Sequence, residues 1–179
     1  MECSGIEVAM DSDFLLIQRM KSGDEQAIDV FVHKYYPVIF RYCRLHINDY
    51  GHAEDITQEA FERFFRTLER YHHYGKAANY LYVIAANACR DYYRKKDEPV
   101  MEIVPEHAVS KTENLEDYVD VRMALDSLPP EIKEAAILFF CQEIKQKEIA
   151  KILGIGLPLV KYRIRKAREL LSGYLREEP

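Results

Sequence analysis

The sequence predicts an all-α fold: two small helical domains joined by an acidic flexible linker, the second containing a helix-turn-helix. Three observations predict it. The 179 residues include only 7 Gly, 7 Pro and no Trp, with few Val or Thr beside abundant Leu, Ile, Ala, Glu and Lys. Apolar residues recur at helical spacing from about Ser12 to Lys96 and again beyond residue 120. Between these stretches periodicity disappears and negative charge accumulates. With 48% apolar residues, the chain can fill one or two small cores.

Each element follows from local signals. A short helix over Asp13–Ser22 ends at Gly23, and Asp24 is a natural N-cap for the next. That second helix carries Ala27, Ile28, Phe31, Tyr35, Ile39, Tyr42, Cys43 and Ile47, with Pro37 expected to kink or break it. Asn48–His52 reads as a turn in which Gly51 ends the helix. A third helix is expected over Ala53–Leu68 and a fourth over Ala77–Lys96, separated by the loop Tyr71-His72-His73-Tyr74-Gly75. Residues 1–11 are expected to be a disordered N-terminus, 12–96 the first domain, 97–119 the linker and 120–176 the second domain. Fully stretched, the linker spans roughly 75 Å, enough to hold the domains well apart. In the second domain Leu128-Pro129-Pro130 breaks a short helix from a segment over Glu131–Cys141. Helices over Gln146–Leu153 and Pro158–Leu175 follow, separated by Gly154-Ile155-Gly156.

Composition narrows the function. No apolar run approaches the length of a spanning helix, so no membrane insertion is expected. Met1–Asp13 has no basic flank followed by an apolar stretch, which predicts a cytoplasmic protein without a secretory signal. Cys3, Cys43, Cys89 and Cys141 are isolated, with no zinc-ligand spacing, and no cofactor or metal is expected. No nucleophile–base set appears, so neither enzymatic activity nor a small-molecule substrate is expected. The net charge of −5 hides an asymmetry. Asp97–Asp120 holds eight acidic residues against Lys111, whereas Pro158–Arg176 holds six Lys or Arg against Glu169. An acidic chain with a basic last helix docks on phosphate locally and binds DNA weakly alone.

The segment from Gln146 to Arg165 carries the most specific pattern. Ile149, Ile152 and Leu153 form one apolar face, Ala150 is small where a second helix passes, and Gly154 takes the turn. Val160, Ile164, Ala167 and Leu171 line the next helix, leaving Lys161, Tyr162, Arg165 and Lys166 opposite. This is helix-turn-helix spacing, and a basic outer face suits the major groove. The competing reading is a structural αα-turn with solvated charges.

In the N-terminal half, Asp55, Gln58, Glu59 and Glu62 form an outer stripe on the third helix; by itself this reads as a solvated face. The fourth helix places Leu81, Ile84, Ala85, Ala88 and Tyr92 inward and Asn79, Asn87, Arg90 and Arg94 outward. Six of the thirteen tyrosines fall between Tyr71 and Tyr93. Aromatics beside Arg and Asn suit single-stranded nucleic acid, through stacking and phosphate contact. The alternative is a Tyr-rich core, less apt for Tyr71 and Tyr74 in a polar loop.

Together the halves resemble a bacterial RNA polymerase sigma factor of the extracytoplasmic-function (ECF) type. The resemblance rests on Ala53-Glu54-Asp55-Ile56-x-Gln58-Glu59-x-Phe61 and Tyr80-Leu81-x-x-Ile84-Ala85-x-Asn87-x-x-x-Asp91-x-x-Arg94. It continues in Leu128-Pro129, Glu148-Ile149-Ala150-x-x-Leu153-Gly154 and Val160-Lys161-x-Arg163-x-x-x-Ala167-Arg168. It implies that the first domain binds core RNA polymerase through Asp55, Gln58, Glu59 and Glu62. It further implies that Tyr71, Tyr74, Asn79, Asn87, Arg90 and Arg94 hold the non-template strand of the −10 element, with one base turned out. The second domain would read the −35 element of promoter DNA through Lys161, Tyr162, Arg165 and Lys166. An anti-sigma protein is a further implied partner, and the acidic linker would follow a basic polymerase channel. The chain departs from the family in Tyr80, where Trp is usual, in Gly156-Leu157-Pro158-Leu159 before the recognition helix, and in Tyr162, where Ser is typical. Tyr80 implies softer packing beside the −10 loop, and the leucines and Tyr162 at the DNA edge imply thymine-methyl contacts or an altered −35 sequence. The competing readings are a dimeric helix-turn-helix regulator without sigma activity, and a protein that only sequesters a partner.

Overall fold

The computed structural model describes residues 12–73, 76–97 and 115–177. The expected disordered N-terminus (1–11), Tyr74 and most of the expected linker (98–114) lie outside the described residues. All regular structure among the described residues is helical.

Helix α1 (Ser12–Lys21) turns Leu16, Ile17 and Met20 inward. Its Asp13 carboxylate is buried and accepts hydrogen bonds from Lys34 Nζ (2.5 Å), the Tyr35 hydroxyl and the Ala77 amide (3.4 Å). Burial pushes that carboxyl up, but these hydrogen bonds and the Lys34 charge outweigh it and hold it below its ordinary range. Gly23, at φ +84, reverses the chain, and Asp24 caps α2 (Glu25–His46) by accepting the Ala27 amide at 3.2 Å, as expected.

Two expectations are corrected here. Helix α2 runs through Pro37 unbroken. A proline in a helix interior costs about 3 kcal/mol, but Phe31, Tyr35, Ile39, Tyr42 and Cys43 bury the same face on both sides of it. Each large apolar side chain so buried contributes about 1.5–3 kcal/mol. Nor does Gly51 end a helix. Helix α2 stops at His46, and Asp49 caps α3 (Tyr50–Thr67) by accepting the His52 amide at 2.8 Å, placing Gly51 in the first turn of α3. Phe31 stacks on Phe64 at 4.8 Å, fixing α3 against α2.

Helix α4 (Ala77–Asp97) buries Leu81, Ile84, Ala85 and Ala88, and Tyr92 is half-buried against the same core. It also buries Tyr82, Ala86 and Cys89, a second stripe that a helix resting on one core does not need. Tyr42 of α2 packs against Tyr82 at 5.3 Å, and the C-terminal half supplies the rest of the cover. It comprises α5 (Leu115–Asp126), α6 (Pro130–Ala136), α7 (Gln146–Leu153) and α8 (Leu157–Glu177). After α6 the expected helix widens into a π turn over Ile137–Cys141, closed by a Gln142 amide bond to the Ile137 carbonyl at 3.0 Å.

The helix-turn-helix folds as its spacing dictates. Gly154 sits at φ +64, and the Ile155 amide returns to the Ala150 carbonyl at 3.1 Å. Ile149, Ile152, Val160, Ile164 and Ala167 are buried. Pro158 occupies the second helical position of α8, one later than expected, where its missing donor still costs nothing. The two halves touch: buried apolar residues of both join one cluster, and α7 packs against α4.

Candidate nucleic-acid and protein interfaces

The carboxylate stripe lies on the outer face of α3. Asp55, Gln58 and Glu62 are exposed and Glu59 is half-exposed. Its members are not equally free. Glu62 pairs with Arg66 at 3.2 Å. Glu59 pairs with Arg63 at 2.6 Å, and Arg63 also reaches Asp91 of α4 at 3.4 Å. The Glu59 pair holds the Arg63 guanidinium above its already high ordinary range, so it stays charged.

The residues expected at single-stranded DNA are distributed around α4 rather than gathered in one pocket. Tyr71 and Asn79 border a hollow of about 210 Å³ with His72, Lys76, Tyr80 and, from α7, Lys151 and Ile152. Asn87 borders a second hollow of about 320 Å³ with Arg63, Arg66, Thr67 and Tyr80. Arg90 donates to Asn87 Oδ1 at 2.6 Å and lines a third, between the domains. Arg94 is exposed and pairs with Asp91 at 3.2 Å. Tyr74 is outside the described residues. Tyr71 is more of a core residue than its polar loop suggests. It packs against Tyr80 at 5.1 Å and Phe64 at 5.5 Å, and its carbonyl accepts from Lys21 Nζ at 2.7 Å. Arg63 and Arg66 of α3 also line these hollows, beyond the residues expected from the sequence. Their signal was cationic character beside the chosen residues, but their convergence depends on how α3 meets α4.

On α8 the expected residues do share one face. Lys161, Tyr162 and Arg165 are exposed, and Lys166 is half-exposed. The Arg165 guanidinium lies 5.7 Å from the Tyr162 ring centre, so the two project together. Lys166 pairs with Glu169 at 3.3 Å. Arg163, absent from the expected set, points instead into the space between the domains. Among the described residues, no group of three or more His, Cys, Asp or Glu is arranged to hold a metal ion, and no helix is long and apolar enough to cross a membrane.

Comparison with known proteins bears directly on these surfaces. Residues 31–98 match the Sigma-70 region 2 family and residues 118–171 match Sigma-70 region 4. The ECF RNA polymerase sigma factor SigW of Bacillus subtilis is 30% identical over 181 residues, covering 90% of this chain and 95% of the relative. SigE of Mycolicibacterium smegmatis is 33% identical over 168 residues, with 86% of this chain matched to 65% of that longer protein. The fold is shared with CnrH, solved in complex with the cytosolic domain of CnrY, at a TM-score of 0.77 and 22% identity over 94% of this chain and all of that one. It is also shared with the Bartonella quintana co-crystal of the sigma factor RpoE with the anti-sigma factor NepR, at 0.67 and 21% over 85% of this chain and 98% of that one. With a region 2 bundle carrying an acidic face, a region 4 helix-turn-helix carrying a basic one, and a relative matched along nearly its full length, this chain belongs to the ECF-type RNA polymerase sigma factors, the promoter-directing factors of transcription initiation.

Proposed function

We propose that the two faces divide the work of one non-catalytic, cytoplasmic initiation factor. The α3 face of Asp55, Gln58, Glu59 and Glu62 grips core RNA polymerase. The surface of Tyr71, Tyr74, Asn79, Asn87, Arg90 and Arg94 takes the −10 strand, and Lys161, Tyr162, Arg165 and Lys166 take the −35 duplex. Residues 12–96 and 120–176 are the two working domains, and the acidic segment between them follows the polymerase channel.

The observation that carries this reading is the pairing, in one chain, of an acidic exposed face on α3 with a basic exposed face on α8. A free chain of net charge −5 binds DNA poorly by bulk electrostatics, so its specificity must be expressed on a partner that holds both faces to one promoter. Extruding a base costs a few kcal/mol, and stacking and cationic contacts along α4 offset part of that cost. The structural relative solved with the anti-sigma factor NepR supports an anti-sigma protein as a further partner.

Run-off transcription with purified core polymerase tests the proposal. The chain should start transcripts at a defined site, and D55K/E59K should remove them. Tight operator binding by a dimer of this chain without polymerase would favour the regulator reading instead.

A further inference from the structure

Helix α1 lies ahead of residues 31–98, the stretch that matches Sigma-70 region 2, yet it holds the loop before α4 from end to end. At the near end, Lys21 Nζ donates to the Tyr71 carbonyl at 2.7 Å and to the Glu69 carbonyl at 3.4 Å. Between the ends, the Phe14 ring packs on the His73 ring, with centroids 6.4 Å apart. At the far end, the buried Asp13 carboxylate accepts the amide of Ala77, the first residue of α4, at 3.4 Å. Asp13 and Lys21 stand eight residues apart, about 12 Å along a helix axis, so one short rigid element spans the loop.

The chemistry of these contacts is that of positioning. Lys21 turns its charge on backbone carbonyls, and a charged donor there fixes the direction of the peptide units it meets. A carboxylate at the first amide of a helix satisfies a donor that has no intrahelical partner, and the helix dipole favours it. Asp13 is held from behind by Lys34 Nζ and the Tyr35 hydroxyl of α2, while Leu16, Ile17 and Met20 anchor α1 in the core. The loop is thereby referenced to the bundle. The order continues inside it, where the Tyr71 hydroxyl and His73 Nδ1 share a hydrogen bond at 3.2 Å and the Tyr71 ring stacks on Tyr80.

We infer that α1 is the positioning element of the −10 surface: Lys21 and Asp13 fix the two ends of the loop between Tyr71 and Ala77, and Phe14 steadies His73 between them. Tyr71 and Asn79 then meet the strand in one arrangement. The consequence is selectivity more than affinity. A loop with drifting ends still offers rings and cations to any single strand, whereas a hydrogen bond to one base edge depends on distance and angle. Asp13 is only 2% exposed, so it acts on a strand through the loop alone. The role at the strand rests on the proposed −10 surface; the hold of α1 on the loop does not.

Lys21→Met and Asp13→Ala test this in the full chain, with Lys21→Arg as the rescue. The first two change the charge in opposite directions, so an effect they share is not electrostatic. Hydrogen–deuterium exchange reads the loop: amides of residues 71–79 should exchange about tenfold faster in both, the loss of one charge-assisted hydrogen bond. Amides of α2 and α3 should keep wild-type protection, and Lys21→Arg should restore the slow exchange. Run-off transcription with core polymerase reads selectivity. The ratio of transcripts from a promoter the wild type uses to those from the same promoter with one −10 base replaced should fall about tenfold, the size of one base contact. A merely structural loss would lower both outputs and leave their ratio unchanged. Wild-type exchange in Lys21→Met overturns the hold of α1, even where Asp13→Ala fails to fold. Faster exchange with an unchanged ratio overturns the positioning role. A wild-type chain that starts transcripts but is indifferent to replacement of −10 bases overturns the −10 reading and the positioning role with it, while exchange still decides the hold of α1.

Discussion

Arg63 donates to Glu59 at 2.6 Å within α3, and through Asp91 the same guanidinium reaches across to α4. The face proposed for polymerase and the helix proposed for the −10 strand are therefore tied by one side chain. Arg63→Ala should lower stability by about 0.5–1 kcal/mol in urea denaturation, the worth of a well-formed but partly solvated network. Arg63→Lys should restore less than half of this, because an ammonium cannot fork between two carboxylates. Full rescue by lysine would reduce the tie to simple charge.

Charge reversal at Asp55 and Glu59 should abolish co-elution with core polymerase while leaving the helical circular dichroism intact. Both residues sit on the solvated side of α3, so the fold loses at most the Glu59–Arg63 pair. Retained binding to core would remove this face from the docking surface.

Gly154→Ala should cost about 1–2 kcal/mol, because φ +64 forces an L side chain into the left-handed region. A Cβ at this position meets nothing within 4 Å, so the cost is conformational and Gly154→Asn should recover part of it. Thermal melts of the three proteins decide the order.

Arg165→Ala should weaken binding to −35 duplex by about 1–3 kcal/mol if the side chain reads a base edge, with specificity relaxed at one position. The Tyr162 ring beside it then loses its cation partner, and Tyr162→Ser should shift the preferred −35 sequence. An unchanged promoter profile in both variants would place base reading elsewhere on α8.

Acid should loosen the docked state through His46. Burial pushes this imidazole below its ordinary value of 6.5, with Lys133 and Arg90 acting in the same direction and Glu134 and Asp126 against. The docked form therefore binds fewer protons than the released form. Docking keeps its full strength above about pH 6.5 and weakens as pH falls below that value. The radius of gyration should rise between pH 7.5 and 5.5 in the wild type, and His46→Gln should flatten the profile. Parallel profiles would clear His46 of any part in the response.

Local chemistry made much of the molecule legible. Helical spacing located the helices, Asp24 its cap, and Gly154 with Ala150 the turn of the helix-turn-helix, because each depends on neighbours within a few residues. The basic face of α8 was legible for the same reason: one helix carries it, and 3.6-residue periodicity sets it. Helix α2 does not break at Pro37, because the local penalty is outweighed by burial on both sides, which only the partner helices provide.

What the tertiary structure alone decided were relations across distance. The sequence put Tyr71 in a polar loop, yet Phe64 and Tyr80 draw it half into the core. It set Asn79, Asn87 and Arg90 on one helix, but neighbouring helices divide them among three hollows. Above all, the meeting of Tyr42 and His46 with Glu134, and of Tyr82 with Gln142, became intelligible only once the domains were docked. Periodicity reports which side of a helix avoids water. The partner that covers it is chosen by shape and charge complementarity, which the chain acquires only when folded.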